Sequence, residues 1–464
     1  FDGFDWKKHW YPVGWLQDFT PNKPHKITLF DQDYVFAHGD SVEGGMVCLE
    51  DVCPHRLAAL SEGRITKDGL VQCAYHGWAF SGETGELKSV PQAPEGAKLG
   101  VEACARAVKV VEKMGLVWVS PFDGEAREED IPIVKEMLDP EYKVIPNVRD
   151  MPLDYSVLIE NIMDPDHGLY AHQSPAFDLY SATSDQPQNV TVWRDNSGFL
   201  RVSSEVEGTL KLTRKPGQDP KGPIPMATHE FIPPSVIQIC RRDPKSGETK
   251  FMTNFFVSPT GVGKTRFLSC ATAKIPISLP RTLTHIQLNN FLDQDTYLVA
   301  TEQTNVLKAE LKAHLTQAPF RRAAMYKYRS PAERLLGVVG KFLDASLPKM
   351  PNRYASLTPF LSPCPPRNHV LDRYAQHTQI CPDSAKFISN LRKISMLSLA
   401  LSAASALVFP LLSTVTQRIV TLGVITVLML FRSVAEALRS EFFYKYDEKR
   451  RDRDLRRIDS VVTA

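Results

Sequence analysis

Two short motifs, Cys53-Pro54-His55 and Cys73-Ala74-Tyr75-His76, constrain this chain more than anything else in it. Each sits in a turn-like setting between strand-like runs, and seventeen residues separate them. Two thiols and two imidazoles at this spacing read as one metal centre built by two loops. The donor set suits a [2Fe-2S] cluster in which two thiolates hold one iron and two imidazoles replace thiolates on the other, which raises the reduction potential above that of all-cysteine clusters. It also suits zinc, for which two Cys and two His are common ligands. Residue types alone leave both open.

At 464 residues the chain is too long for one compact core, and two or three domains are expected rather than a small electron carrier. A formal charge of +2, with no basic block before the extreme C-terminus, gives no footprint for nucleic acid, which is not expected as a partner. The eight cysteines are scattered, unlike those of a disulfide-stapled secreted domain, so most are expected to be free thiols and some to be ligands. Cys48 and Cys104 read as small buried hydrophobes. No basic-then-apolar leader follows Phe1, and any targeting segment is expected to lie outside these residues.

From Trp6 to about Ser120, alternating runs at 25–30, 34–38, 46–49 and 116–119, punctuated by Gly44-Gly45 and Ser81-Gly82, predict an all-β domain. The acidic, Pro-containing stretch 123–140 reads as a linker or surface crossover. Beyond it, a helical stretch at 154–170, strand-like runs at 190–193, 235–241, 251–257 and 266–273, and one long helical pattern over 283–314 predict an α+β domain with an antiparallel sheet. The segment 319–384, rich in Pro, Arg and Lys, has weak periodicity and no assigned fold. The chain is divided as 1–122, 123–140, 141–388, 389–440 and 441–464.

Ile394 to Gln417 carries no charged residue and is long enough to cross a bilayer as a helix. Ile419 to Phe431 is a second apolar run of about half the spanning length. A turn at Thr416-Gln417-Arg418 would make the two a hairpin, bringing the basic tail 444–457 back beside the soluble part. The alternative is a buried helical hairpin of a soluble protein.

A second constellation is Glu160-Asn161-Ile162-Met163-Asp164-Pro165-Asp166-His167, followed by His172. Asp164 and His167 are one helical turn apart, while the five-residue step to His172 demands a broken turn. An oxygen-activating iron uses two imidazoles and one carboxylate on one face, with the other positions open, so His167 and His172 are candidate ligands. A pair of structural histidines in a polar helix is the plainer alternative.

The text CPHR followed by CAYHGW resembles the Rieske motif of ring-hydroxylating oxygenases, and DxxHxxxxH, in its longer form ENxxDPxHxxxxH, resembles the pheophorbide a oxygenase branch. The similarity runs from FDWKKHWYPV to the C-terminal apolar segments, the group being the membrane-bound plastid one with the translocon Rieske components. It implies an N-terminal all-β Rieske domain, an antiparallel-sheet catalytic domain of helix-grip type and a transmembrane hairpin. It also implies a Rieske [2Fe-2S] cluster on Cys53, His55, Cys73 and His76, and a mononuclear Fe(II) on His167, His172 and a distant carboxylate. Asp295, in Asp293-Gln294-Asp295, is the preferred third ligand and Asp293 the alternative. Asp164 would hydrogen-bond His167 and, across a subunit boundary, His76 of the partner subunit, while Asn161 would line the iron pocket or lie on the helix surface.

The resemblance further implies dioxygen, reduced ferredoxin, a chlorophyll-derived tetrapyrrole, a homotrimer and a chloroplast membrane, inner envelope or thylakoid. The disulfide that links the cluster loops of cytochrome-type Rieske proteins has Ala58 and Tyr75 at its positions here. A CxxC motif common before the membrane helices is here Cys381-Pro382-Asp383-Ser384, which puts thioredoxin-type control in doubt. A redox-sensing or scaffold component of a plastid membrane complex, and a soluble Rieske ferredoxin, are the competing readings.

Overall fold

The computed structural model describes residues 1–443 except 2, 43, 95, 97–102, 125, 165–166, 173–188, 197, 207–225, 244, 276–278 and 331–332. The basic tail from 444 onward therefore lies outside the described residues.

The N-terminal part is built of short antiparallel strands: β1 (Tyr11–Trp15), β2 (His25–Leu29), β3 (Gln32–His38), β4 (Met46–Glu50), β5 (Arg64–Ile65), β6 (Val71–Gln72), β7 (Ala79–Phe80), β8 (Leu87–Ser89), β9 (Lys109–Lys113) and β10 (Leu116–Ser120). They form three sheets, β1-β10-β9, β2-β3-β4 and β5-β6-β7-β8. The two-residue turn between β2 and β3 places Phe30 and Asp31 both at positive φ, the geometry that suits a tight hairpin. Phe30 is held there because its ring is buried against Tyr11 and its N–H donates to the Pro259 carbonyl at 3.0 Å. That bond also ties the N-terminal sheets to the following domain.

The stretch after β10 differs from the expected surface linker. It contains α1 (Lys135–Leu138), and Ala126, Ile131 and Val134 are buried in one apolar cluster with Trp10, Trp15 and Trp118. Three apolar side chains among acidic ones are enough to draw the segment inward, and the Trp10 indole N–H seals it on the Arg127 carbonyl at 2.7 Å.

The second domain starts with β11 (Lys143–Met151) and the buried helix α2 (Tyr155–Met163), capped by Asp154, whose side chain accepts from the Ser156 N–H. The one-turn α3 (His167–Tyr170) follows, then β12 (Asn189–Arg194), β13 (Leu200–Val206), β14 (Met226–Ile232), β15 (Val236–Arg242), β16 (Thr249–Gly261) and β17 (Lys264–Ala273). These strands make a seven-stranded antiparallel sheet in the order β11-β17-β16-β15-β14-β13-β12. The continuous helix expected over 283–314 is two helices, α4 (Arg281–Leu292) and α5 (Thr296–Leu315), broken at Asp293-Gln294-Asp295. The Asp293 carboxylate is drawn inward by the guanidinium groups of Arg149 and Arg373, at 2.6 and 2.5 Å, which turns the chain there.

The unassigned segment contains α6 (Arg322–Met325), α7 (Arg334–Ser346), α8 (Thr358–Leu361), α9 (Arg367–Val370) and a π-helical turn at Tyr374–Thr378. Its arginines are not surface charges. Arg322, Arg353 and Arg373 are each almost wholly buried, pairing with Glu160 and Asp344, with Asp154 and Glu310, and with Asp293. A buried guanidinium needs such partners, so these pairs specify where the segment docks.

α10 (Pro382–Val408) and α11 (Val415–Ser440) form the C-terminal hairpin. The turn is at 412–414 rather than the expected 416–418, because Thr414 and Gln417 form a capping box that starts α11 earlier. α11 is thereby a full-length apolar helix of 26 residues. Ile388 and Leu391 of α10 are buried at the root and Ser395, Ser398 and Ser402 further along it, while Leu407, Leu411 and Val415 are among many exposed apolar side chains. Both helices are long and apolar enough to cross a bilayer.

Candidate metal sites

The two cluster loops are built alike. The Cys53 N–H donates to the Ala58 carbonyl at 2.8 Å, and the Leu57 N–H donates back to the Cys53 carbonyl at 2.8 Å. In the second loop Cys73 pairs with Trp78 at 2.9 Å and Gly77 with Cys73 at 3.1 Å, in the same pattern. Leu57 and Gly77 occupy equivalent positions, both at positive φ. The loops bring all four expected donors together: Cys53 and Cys73 are buried, while the rings of His55 and His76 face outward with centroids 4.6 Å apart. Trp78 stacks flat on His55 at 4.2 Å. Paired thiols inside and paired imidazoles outside fit a cluster with thiolates on one iron and imidazoles on the other. All eight cysteines are free, so no disulfide links the loops.

The second site is made by the end of α2, the turn to His172 and the break between α4 and α5. His167 Nε2 and His172 Nε2 are 3.2 Å apart, and Asp295 Oδ2 lies 3.7 and 3.3 Å from them. The His167 Nδ1–H donates to the Asp164 main-chain carbonyl at 2.6 Å, and the His172 Nδ1–H to Gln294 Oε1 at 3.3 Å. With both Nδ1 protons committed, two nitrogen lone pairs and a carboxylate oxygen converge on one point. Three acceptors face one another with no proton between them, an arrangement completed by a cation and matching a two-histidine, one-carboxylate triad.

Burial alone would raise the Asp295 pKa, but the polar groups facing it, His172 first and then His167 and Asn161, hold it below the ordinary carboxylate value. Asn161 donates from Nδ2 to Asp295 Oδ2 at 3.0 Å, so it orients the carboxylate instead of sitting on a helix surface. Asp293 is excluded from the triad by its two arginines. The expected hydrogen bond between the Asp164 carboxylate and His167 is replaced by that of the main-chain carbonyl. The carboxylate stands 4.0 Å away, because Asp164 ends α2 in extended backbone.

Three residues escaped sequence reasoning. Phe291 stacks on His172 at 3.8 Å. Gln294 orients the same ring, its signal being no more than adjacency to Asp295. His229, on β14, lines a cavity of about 140 Å³ beside the triad together with Arg241, Phe255 and Phe267. Burial lowers its pKa to about 4, which keeps the ring neutral, and its Nδ1 has no hydrogen-bond partner among the described residues.

Comparison with known proteins agrees with the two kinds of metal centre. Residues 9–112 match the Rieske [2Fe-2S] domain family and residues 231–312 the pheophorbide a oxygenase family. Chloroplastic pheophorbide a oxygenase of Oryza sativa subsp. japonica is 30% identical over 82% of this chain and 72% of its own length. Chloroplastic flavonoid 8-hydroxylase 2 of Ocimum basilicum is 26% identical over 96% and 85%. The fold is that of dicamba monooxygenase bound to 3,6-dichlorosalicylic acid, with a TM-score of 0.56 and 20% identity over 73% of this chain and 98% of that one.

Fold and sites together define a Rieske non-haem iron oxygenase, an oxidoreductase with a [2Fe-2S] cluster and a mononuclear iron. Within that class, the chain belongs to the pheophorbide a oxygenase family.

Proposed function

We propose that the protein oxidises a chlorophyll-derived tetrapyrrole with dioxygen, drawing electrons from reduced ferredoxin, at a chloroplast membrane entered by α10 and α11. The convergence of His167, His172 and Asp295 is the observation that carries this reading, since a sensor or scaffold has no use for a triad that leaves coordination positions open. Cys53, His55, Cys73 and His76 hold the cluster, and His167, His172 and Asp295 hold the iron. When bound, the cluster supplies electrons singly and the iron activates dioxygen.

The side chains do the positioning. Asn161 holds the Asp295 carboxylate, while Gln294 and the Asp164 carbonyl set the ring tautomers. The apolar wall of Phe255, Phe267 and Phe291 excludes water, and His229 offers a neutral ring nitrogen to an oxygen of the substrate. His55, Leu57 and Tyr75 are exposed around the cluster, which supports a trimer in which this face packs on the iron domain of the next subunit and the Asp164 carboxylate reaches His76 of the partner subunit.

A second reading concerns the substrate alone. The cavity of about 140 Å³ is below the roughly 300–1,000 Å³ usual for ligand sites, while an adjoining one of about 400 Å³, also lined by Asn161, Asp164, His167 and Asp295, falls within that range. The smaller cavity taken alone suits a smaller planar aromatic, such as the flavonoid named for the basil relative, and the two together suit the larger substrate. The test is electron paramagnetic resonance with iron and sulfide analysis on the reduced protein and its His167→Ala variant, followed by ferredoxin-coupled turnover of pheophorbide, chlorophyllide and flavonoid. A Rieske signal in both proteins, about one iron fewer in the variant and oxidation of a tetrapyrrole by the parent alone are expected. Oxidation of only the flavonoid selects the second reading, and no turnover at full iron loading overturns both.

A further inference from the structure

At the root of the hairpin, away from both sites described above, His285 of α4, His377 of the π-helical turn and Cys381 at the start of α10 meet with every side chain buried. The His285 Nε2–H donates to the Pro146 carbonyl at 2.9 Å and the His377 Nδ1–H to the Val148 carbonyl at 2.6 Å. These carbonyls alternate along β11, the edge strand among the described residues, and point away from its partner β17. Both histidine tautomers are thereby set, and the remaining lone pairs turn inward. His285 Nδ1 and His377 Nε2 each lie 3.1 Å from Ser384 Oγ, and His285 Nδ1 is 3.7 Å from Cys381 Sγ.

A serine hydroxyl has one proton and cannot satisfy two imidazole lone pairs. The second must rely on a weak S–H donor at long range. Backbone carbonyls behind both imidazoles, with the opposite nitrogens aimed at a shared point beside a thiol, are the arrangement of a metal site with its ring orientations already set.

We propose that His285, His377 and Cys381, with the Ser384 hydroxyl as fourth donor, bind one zinc ion that clamps the hairpin root to β11 and α4. A closed tetrahedral site of nitrogen and sulfur donors without an open position is structural in character. Binding exchanges the Cys381 thiol proton for the metal, so one proton leaves per ion. The ion with one thiolate leaves one positive charge and Arg281 beside it adds a second. Asp18 and Asp383, paired with Arg281 at 2.6 and 3.2 Å, supply the two compensating negative charges.

The test is zinc analysis and zinc-edge X-ray absorption on the full-length, iron-loaded protein in detergent after dialysis against zinc. Cys381→Ala, His377→Gln, Ser384→Cys and His167→Ala are compared with the parent. One zinc per chain is expected, with one sulfur at about 2.3 Å and two nitrogens at about 2.0 Å. Its content should fall at least tenfold in Cys381→Ala and His377→Gln and remain in His167→Ala, which separates this site from zinc captured by the iron triad. Ser384→Cys should show a second sulfur and hold zinc more tightly against a chelator. A folded parent that takes up no zinc overturns the proposal, as does zinc that is lost in His167→Ala and kept in Cys381→Ala.

Discussion

Asn161 Nδ2 donates to Asp295 Oδ2 at 3.0 Å across 134 residues of sequence, joining the end of α2 to the break before α5. The same oxygen faces His167 Nε2 and His172 Nε2 at 3.7 and 3.3 Å, so Asn161 fixes the carboxylate atom that would meet the metal. Asn161→Ala is expected to weaken mononuclear iron binding about 10- to 100-fold, the usual effect of removing a partner behind a metal ligand. Iron titration of the apo site measures it, and the cluster signal should not change.

Two aspartates two residues apart have opposite tasks. Asp295→Ala is expected to lose the mononuclear iron with little loss of stability. Asp293→Ala strands Arg149 and Arg373, both fully buried, and should cost about 3–5 kcal/mol in chemical denaturation. Equal stability of the two variants would reverse the assignment.

His229 lines the cavity beside the triad and has a buried ring nitrogen without a hydrogen-bond partner among the described residues. His229→Phe keeps the volume and removes the polar contact. A rise in KM of about fivefold with little change in kcat is expected, in line with about 1 kcal/mol for one uniform hydrogen bond. A fall in kcat alone would place His229 in the chemistry instead.

The Asp154 carboxylate is pulled down to about 2 from the ordinary 3.8, burial working against the shift and the Arg353 guanidinium outweighing it. Since the folded value is the lower one, its stabilisation is complete above the unfolded value and disappears as the pH falls from about 4 to about 2. That amounts to about 2 kcal/mol for this buried pair. Asp154→Asn should be less stable at neutral pH and show a flatter decline in acid, read from melting temperature against pH.

Gly77 and Leu57 hold the same left-handed position in the two cluster loops, at φ +75 and +61. A Cβ at Gly77 would also approach the Pro91 ring to 3.0 Å. Gly77→Ala should destabilise its loop by about 1 kcal/mol and lower cluster occupancy, while Leu57→Gly relieves strain and keeps the cluster. Acid-labile sulfide per chain reports both.

Much of this was legible along the chain because the signals are local. Cys53, His55, Cys73 and His76 are spaced by the loops that carry them, and β2, β3, β4, β10, β12, β15, β16 and β17 follow from local strand-like patterning. The apolar pattern of the hairpin was equally plain, though its turn moved to Thr414, where a capping box with Gln417 starts α11. The 123–140 stretch and the 319–384 segment misled for one reason. Their residues look like surface until partners distant in sequence, Trp10 for one and Asp154, Glu160 and Asp293 for the other, take them inside.

The sequence by itself therefore determined the kinds of donors and the domain types, because motif spacing and periodicity act over a few residues, while the choice of iron over zinc rested on the likeness of the motifs to a known family. Only the tertiary structure decided between Asp293 and Asp295, gave Asn161, Gln294 and His229 their tasks, and gathered His285, His377 and Cys381. Those outcomes depend on which buried charge finds its partner across more than a hundred residues, or which lone pair finds a proton. Such long-range pairing is settled by packing and desolvation, which leave no local pattern to read.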